Sequence, residues 1–181
     1  MQVYNLIGGA KLLTFARHTD SRGWFAESWS NKWMEEYGIA KPFVQSNTVR
    51  TELKHTIRGL HTQIPPHQTS KLLQVIRGAV LDVFVDARVD SATYGQWGSV
   101  TLSEDTAQLI YVPDGFYHGY MTLVDDTIVH YQQDEFYSSD SDHGLLWNDS
   151  TINIEWGLNG AIPIVSSKDT AQPTWNLTKK F

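Results

Sequence analysis

RGLHTQIPPHQTSKLLQVIRGAVLDVFVD, residues 58–86, is the stretch that decides the fold. From Lys71 onward it is strand-like: Leu72, Leu73, Val75 and Ile76 precede Gly78, and Val80, Leu81, Val83, Phe84 and Val85 follow. β-branched and aromatic residues bounded by Gly and Pro favour strands over helices. With a period of two, Val80, Asp82 and Phe84 share one face, and Leu81, Val83 and Val85 share the other. Apolar residues on both faces imply a strand covered from both sides, as in a sandwich or closed barrel. Asp82 then sits inside, where a carboxylate needs a cationic or hydrogen-bonding partner. His61, Lys71 and Arg58, from the same stretch, are the candidates.

The flanking sequence extends this pattern. Residues 1–15 read as a strand pair turning at Gly8-Gly9. Residues 20–27, DSRGWFAE, read as a turn feeding a strand on which Phe25 and Glu27 share a face. Asn31 to Tyr37 reads as a short helix capped by Asn31 and ended by Gly38. Phe43–Thr51, Tyr94–Leu102, Ala107–Val112 and Ile128–Phe136 read as further strands, and residues 113–118 as a turn delivering His118. Ser138 to Gly144 reads as a polar surface loop, and the chain beyond it as turn-rich. Many short strands with almost no helical periodicity make an all-β protein with short peripheral helices, and a jelly-roll barrel is the closed form expected at this size.

At 181 residues, one domain spanning 1–181 is expected. The net charge of -6 and the lack of a basic run exclude a general nucleic-acid binder, while leaving room for a nucleotide held by a few Arg and Lys. There is no cysteine, which rules out disulfide and thiolate chemistry. No apolar run approaches the ~20 residues needed to span a bilayer, and the first residues lack the basic lead and apolar core of a signal peptide. The expectation is a cytoplasmic protein with no membrane or nucleic-acid partner. Seven tryptophans and eight tyrosines suit a ligand cleft as well as a core.

Two chemistries fit the polar residues. The first is a metal site, because the spacing from Pro113 through Gly115 to His118 resembles the second motif of cupin barrels. The first cupin motif, however, is reduced to His61-Thr-Gln63, with His67 or Gln68 where a glutamate is expected. His61 and His118, even with His67 as a third candidate, make a weak ligand set, and no metal is expected. The second is acid–base catalysis. His61 can act as a base near neutral pH if a carboxylate, Asp169 or Asp82, orients its ring. Tyr131 on an opposing wall can return a proton to the other face of a carbon acid, as an epimerase requires. Lys71 or His118 can stabilise the enolate oxygen. Taken singly, each has a plainer role. His61 reads as a hydrogen-bonded structural histidine, Tyr131 as a half-buried strand tyrosine, Asp169 as a turn residue or cap, and His55, His67 and His130 as surface or loop residues. Only their joint occurrence points to a site.

These motifs resemble the dTDP-4-dehydrorhamnose 3,5-epimerase family from about Asp20 to Pro173. The resemblance rests on DSRGWFAE (20–27), FVQSN (43–47), IRGLHTQ (57–63), the segment 65–72, VLDVFVDAR (80–88) and TYGQW (93–97). It continues through VPDGFYHGY (112–120), Tyr131 with Tyr137, WND (147–149) and SSKD (166–169). It implies a cupin-type jelly roll working as a homodimer with N-terminal strand exchange, with no metal or cofactor, on a nucleotide-diphosphate sugar. It implies that His61, paired with Asp169, removes the α-protons and that Tyr131 is the acid on the other face. Arg58, Lys71, Asp82 and His118 then surround the sugar and its 4-keto group. Arg22, Phe25 and Glu27 match the nucleotide-contacting segment that the partner subunit supplies, and Gln45, Asn47 and Tyr137 match further nucleotide-sugar contacts.

The chain departs from the family pattern in three places. Gln132 and the residues after it replace a basic residue and a small pair, Leu146 replaces an arginine, and Val49 replaces a serine, although Thr51 retains a hydroxyl. Loss of two cations near the nucleotide end would weaken diphosphate binding or mark a different nucleotide-sugar. The expected activity is epimerisation of a 4-keto-6-deoxy sugar at C3 and C5 through enolates. The alternatives are C3-only or C5-only epimerisation, another nucleotide-sugar such as a GDP-heptose, a non-catalytic sugar-binding cupin, or a metal-dependent cupin.

Overall fold

The structure, a computed structural model, describes residues 2–39 and 41–181, so the first residue of the expected N-terminal strand pair lies outside it. The chain runs β1 (Gln2–Asn5), β2 (Lys11–Thr14), β3 (His18–Asp20), β4 (Gly23–Phe25), α1 (Lys32–Tyr37), β5 (Gln45–Thr51), β6 (Thr56–Gln63), β7 (Lys71–Arg77) and β8 (Ala79–Asp86). It continues through β9 (Trp97–Ser103), β10 (Gln108–Val112), β11 (Phe116–Thr122), β12 (Thr127–Gln133), β13 (Asp142–Gly144), β14 (Ile164–Val165) and α2 (Ser167–Thr170). One sheet has the order β1-β2-β10-β7-β12-β5, and the other β13-β6-β11-β8-β9 with β14 alongside β6. The two face each other as a cupin-type jelly roll, and β3–β4 form a separate hairpin.

The alternation along β8 shows why both of its faces are apolar. Val80 and Phe84 enter the core between the sheets with Leu73, Val75, Ile110 and Val129. Val83 and Val85 face the other way and are covered by the C-terminal tail through Leu145, Ile152, Trp156 and Trp175. A third cluster, with Leu13, Phe15, Leu72 and Leu109 at its centre, is capped by Trp29 and Phe43 from the N-terminal segment. Each large side chain buried in these layers contributes roughly 1.5–3 kcal/mol. The tail has almost no sheet of its own and is held by polar anchors. Asp149 accepts the backbone N–H groups of Thr151, Ile152 and Trp175 at 2.9 Å each, and the Tyr117 hydroxyl shares a 2.6 Å hydrogen bond with Thr178.

Several boundaries differ from those expected. β4 ends at Phe25, so Glu27 lies beyond the strand. At the start of α1 the Asn31 side-chain oxygen accepts the Trp29 indole N–H. Gly38 does end that helix, at φ 68°. β9 begins at Trp97 rather than Tyr94, because Ser91 and Thr93 turn back to donate their hydroxyls to Asp86 at 2.6 Å each. His118 lies within β11 rather than in the turn before it. The polar segment 138–144 is not simply solvated: Asp142–Gly144 pair with β6, and Ser141 and Gly144 are buried. Among the described residues no helix is long and apolar enough to cross a membrane.

Candidate active site

A cavity of about 180 Å³ opens between the two sheets. One wall is formed by Val49 of β5, Lys71 and Leu73 of β7, and Tyr131 of β12; the other by Arg58 and His61 of β6, and His118, Gly119 and Tyr120 of β11. Strand pleating produces this lining. Tyr131 pairs with Leu73 on one side and Asn47 on the other, while His61 pairs with His118 across the β6–β11 ladder. Here β6 and β11 approach so closely that a Cβ on Gly119 would lie 2.6 Å from the Arg58 carbonyl oxygen, and one on Gly59 would lie 2.7 Å from Gly119 Cα. Gly59 also has φ 122°, a conformation side chains disfavour. The register shift at this point brings both Arg58 and His61 to the cavity wall.

His61 is about one-third exposed, and its Nε2–H donates to Asp169 Oδ1 at 2.6 Å. Asp169 comes from α2, where the Ser166 side chain caps the helix by accepting the Asp169 N–H. Its Oδ2 accepts the Gly59 N–H at 3.3 Å. Burial pushes the Asp169 carboxyl up, but hydrogen bonding and charge from His61, with the Gly59 N–H, carry it below the usual value. An ionised carboxylate only accepts, so the proton of neutral His61 sits on Nε2 and Nδ1 keeps its lone pair.

Asp82 forms a second buried dyad. It is 0% exposed, and His118 Nε2–H donates to its two oxygens at 2.8 and 3.0 Å. Burial pushes Asp82 up, opposed by the charges of His118 and Lys71. Asp82 therefore stands behind His118, with Asp169 behind His61. Among the described residues neither Lys71 nor Arg58 has a carboxylate within salt-bridge range. Burial pulls the Lys71 ammonium down to about 8, with Asp142 and Asp82 opposing the shift. Arg58 is oriented by its Nε–H, which donates to Thr51 Oγ1 at 2.9 Å. Burial and the charge of Asp142 both push the Tyr131 phenol up, keeping it protonated at neutral pH.

The remaining candidates lie off this cavity. Gln45 and Asn47 are on the edge strand β5, where Gln45 Nε2 donates to Asn47 Oδ1 at 3.1 Å. Tyr137 is joined to them by its N–H, which donates to Gln45 Oε1, and its hydroxyl donates to Asp142. Arg22 and Phe25 sit on the exposed β3–β4 hairpin, where Phe25 is 70% exposed and Arg22 pairs with Asp20. Glu27 is exposed beyond it. Within one chain these three are not brought to the cavity. His67 lies 3.8 Å from Glu135 and does not line the cavity, and among the described residues no three His, Asp or Glu side chains form a group that could hold a metal.

The departure at Gln132, expected near the nucleotide end, lies away from the cavity. Its neighbour Tyr131 points inward, so Gln132 points outward, into a small separate pocket with Trp29 and Leu72. Leu146 is likewise absent from the cavity lining, whereas Val49 is part of it. Tyr120 is a polar lining residue that sequence did not single out, since a tyrosine in an apolar strand reads as core.

The family model described as dTDP-4-dehydrorhamnose 3,5-epimerase matches residues 5–176. The dTDP-4-dehydrorhamnose 3,5-epimerase of Sinorhizobium fredii is 39% identical over 168 residues, covering 93% of this chain and 86% of its own. The crystal structure of the Bacillus anthracis enzyme of that name, with TDP and PPi bound, superposes with a TM-score of 0.87 at 46% identity, over 91% of this chain and 93% of its own. That of a Legionella pneumophila dTDP-6-deoxy-D-glucose-3,5-epimerase in complex with dTDP-4-keto-L-rhamnose gives a TM-score of 0.92 at 35% identity, over 97% and 93%. By this extent of match the chain belongs to the dTDP-4-dehydrorhamnose 3,5-epimerase family, and so to the isomerases.

Proposed function

We propose that this protein inverts C3 and C5 of a dTDP-linked 4-keto-6-deoxyhexose, with His61 as base and Tyr131 as acid. The observation that carries this is the meeting of the His61–Asp169 dyad and Tyr131 from opposite walls of one cavity that also holds Lys71. C3 and C5 both flank the C4 ketone, so a proton on either is acidified by the same carbonyl. His61 Nδ1 takes that proton, the C–H electron pair becomes the new C–C double bond, and the carbonyl π pair moves onto O4. The Lys71 ammonium is aimed at the charge that develops there. Tyr131 then gives its phenolic proton to the opposite face of the carbon, inverting it, as the C4 carbonyl re-forms. Solvent restores the phenol and takes the proton from the imidazolium, so that both groups are ready for the second carbon. Asp169 holds the imidazole in the required tautomer and stabilises the imidazolium.

The nucleotide end is expected to be completed by a second copy of the chain. In this reading the protein is a homodimer that exchanges N-terminal strands, and Arg22, Phe25 and Glu27 reach the partner's nucleotide. It is supported by the exposure of Trp24 and Phe25 on a hairpin apart from both large sheets. Sedimentation equilibrium tests it: a monomer at micromolar concentration would remove the completed site.

The activity is tested by NMR of dTDP-, GDP- and CDP-linked 4-keto-6-deoxy sugars in D2O with the purified protein. Deuterium at both C3 and C5 of the dTDP sugar is expected. Deuterium at one carbon would reduce the enzyme to a single-carbon epimerase, and binding without exchange would make it a sugar-binding cupin.

A further inference from the structure

Tyr120 lies on β11 two residues beyond His118, in the cavity wall. It is only 6% exposed, and its hydroxyl has no hydrogen-bond partner among the described residues. Thr51 Oγ1 accepts from Arg58 Nε and pulls the phenol's pKa down against burial, but does not meet the Tyr120 hydroxyl in hydrogen-bonding geometry. The ring packs in the core cluster that contains Leu73, Phe84 and Val129, where a phenylalanine would fill the space without burying an unpaired polar atom. Burial raises the phenol to about 12, so it remains a neutral O–H that can donate and accept at any working pH. A buried hydroxyl left unpaired in a cavity wall is accounted for by a ligand that completes it.

Which part of the ligand this is follows from the epimerase reading, on which this inference rests. C1 of the sugar carries the diphosphate, C6 is a methyl group, and the ketone oxygen gains charge and calls for a cation. The remaining polar groups are the hydroxyls at C2 and C3. The C3 hydroxyl changes face when that carbon inverts, so a phenol fixed in one wall cannot hold it in both configurations. The C2 centre keeps its configuration throughout. We propose that the Tyr120 hydroxyl hydrogen-bonds the C2 hydroxyl of the substrate, making Tyr120 a specificity-determining residue that disfavours 2-deoxy sugars.

The test measures kcat/KM for deuterium uptake from D2O with dTDP-4-keto-6-deoxyglucose and its 2-deoxy analogue. Wild type and Tyr120→Phe are compared, with thermal unfolding midpoints recorded alongside. Wild type should prefer the 2-hydroxy sugar by about tenfold or more. Tyr120→Phe should bring that preference close to one, and its midpoint should equal or exceed that of wild type, because an unpaired buried hydroxyl has been removed. An undiminished preference in Tyr120→Phe, or a lowered midpoint marking a structural hydroxyl, would overturn the inference while leaving the epimerase reading intact. No uptake into either sugar by wild type would overturn both.

Discussion

His61 Nε2 and Asp169 Oδ1 stand 2.6 Å apart although 108 residues separate them in the chain. A strand in the barrel wall supplies the ring, and a four-residue helix in the tail supplies the carboxylate.

That contact should govern turnover more than folding. Asp169→Asn keeps the volume but allows the amide to favour the other imidazole tautomer, as well as removing the charge that steadies the imidazolium. A fall in kcat of about 10²–10⁴-fold is expected in steady-state assays. An unchanged kcat would show that His61 works without its partner.

Lys71 should set an alkaline limit on activity. Its ammonium lies at about 8, so the cation aimed at the enolate is lost as pH rises through that value. The profile of kcat/KM, which reports the free enzyme, should fall above about pH 8. Lys71→Arg retains its charge well beyond that range, so this limb should move out of the measurable window even if the rate drops. A limb that stays in place would assign it to another group.

The acid side of stability should depend on Asp86. Burial pushes this carboxyl up, but hydrogen bonds from Arg88, Ser91 and Thr93 carry it down to about 2 from 3.8. The unfolded chain therefore takes up this proton first as pH falls. The contribution of Asp86 is complete well above pH 3.8 and is lost between about 4 and 2. That shift corresponds to about 2 kcal/mol. Urea unfolding of Asp86→Asn should show a deficit of this order at pH 7 that shrinks near pH 2; a deficit constant with pH would point to packing.

How much of this was legible in sequence follows the range of each interaction. The two-faced β8 could be read because strand alternation is local, and the layers covering both faces then had to exist. The late start of β9 could not, because it depends on Ser91 and Thr93 finding Asp86. Nor could residue spacing choose Asp169 over Asp82 as the partner of His61; only the family resemblance did. The structure gives each histidine its own carboxylate. The motif departure at Gln132 was visible, but that its side chain lies away from the cavity shows only in the structure. Tyr120 carried no local signal at all: its unpaired hydroxyl becomes visible only when the cavity is in view.

The central claim is that His61 and Tyr131 serve opposite faces of the same carbon acid. Its most direct measurement is NMR of the dTDP-linked 4-keto-6-deoxy sugar in D2O with Tyr131→Phe and His61→Asn. Tyr131→Phe should admit deuterium α to the ketone with configuration retained, since the base still works and the inverting acid is gone, while His61→Asn should give neither exchange nor product. Inversion by Tyr131→Phe at the wild-type rate, or persistent exchange by His61→Asn, would contradict the account.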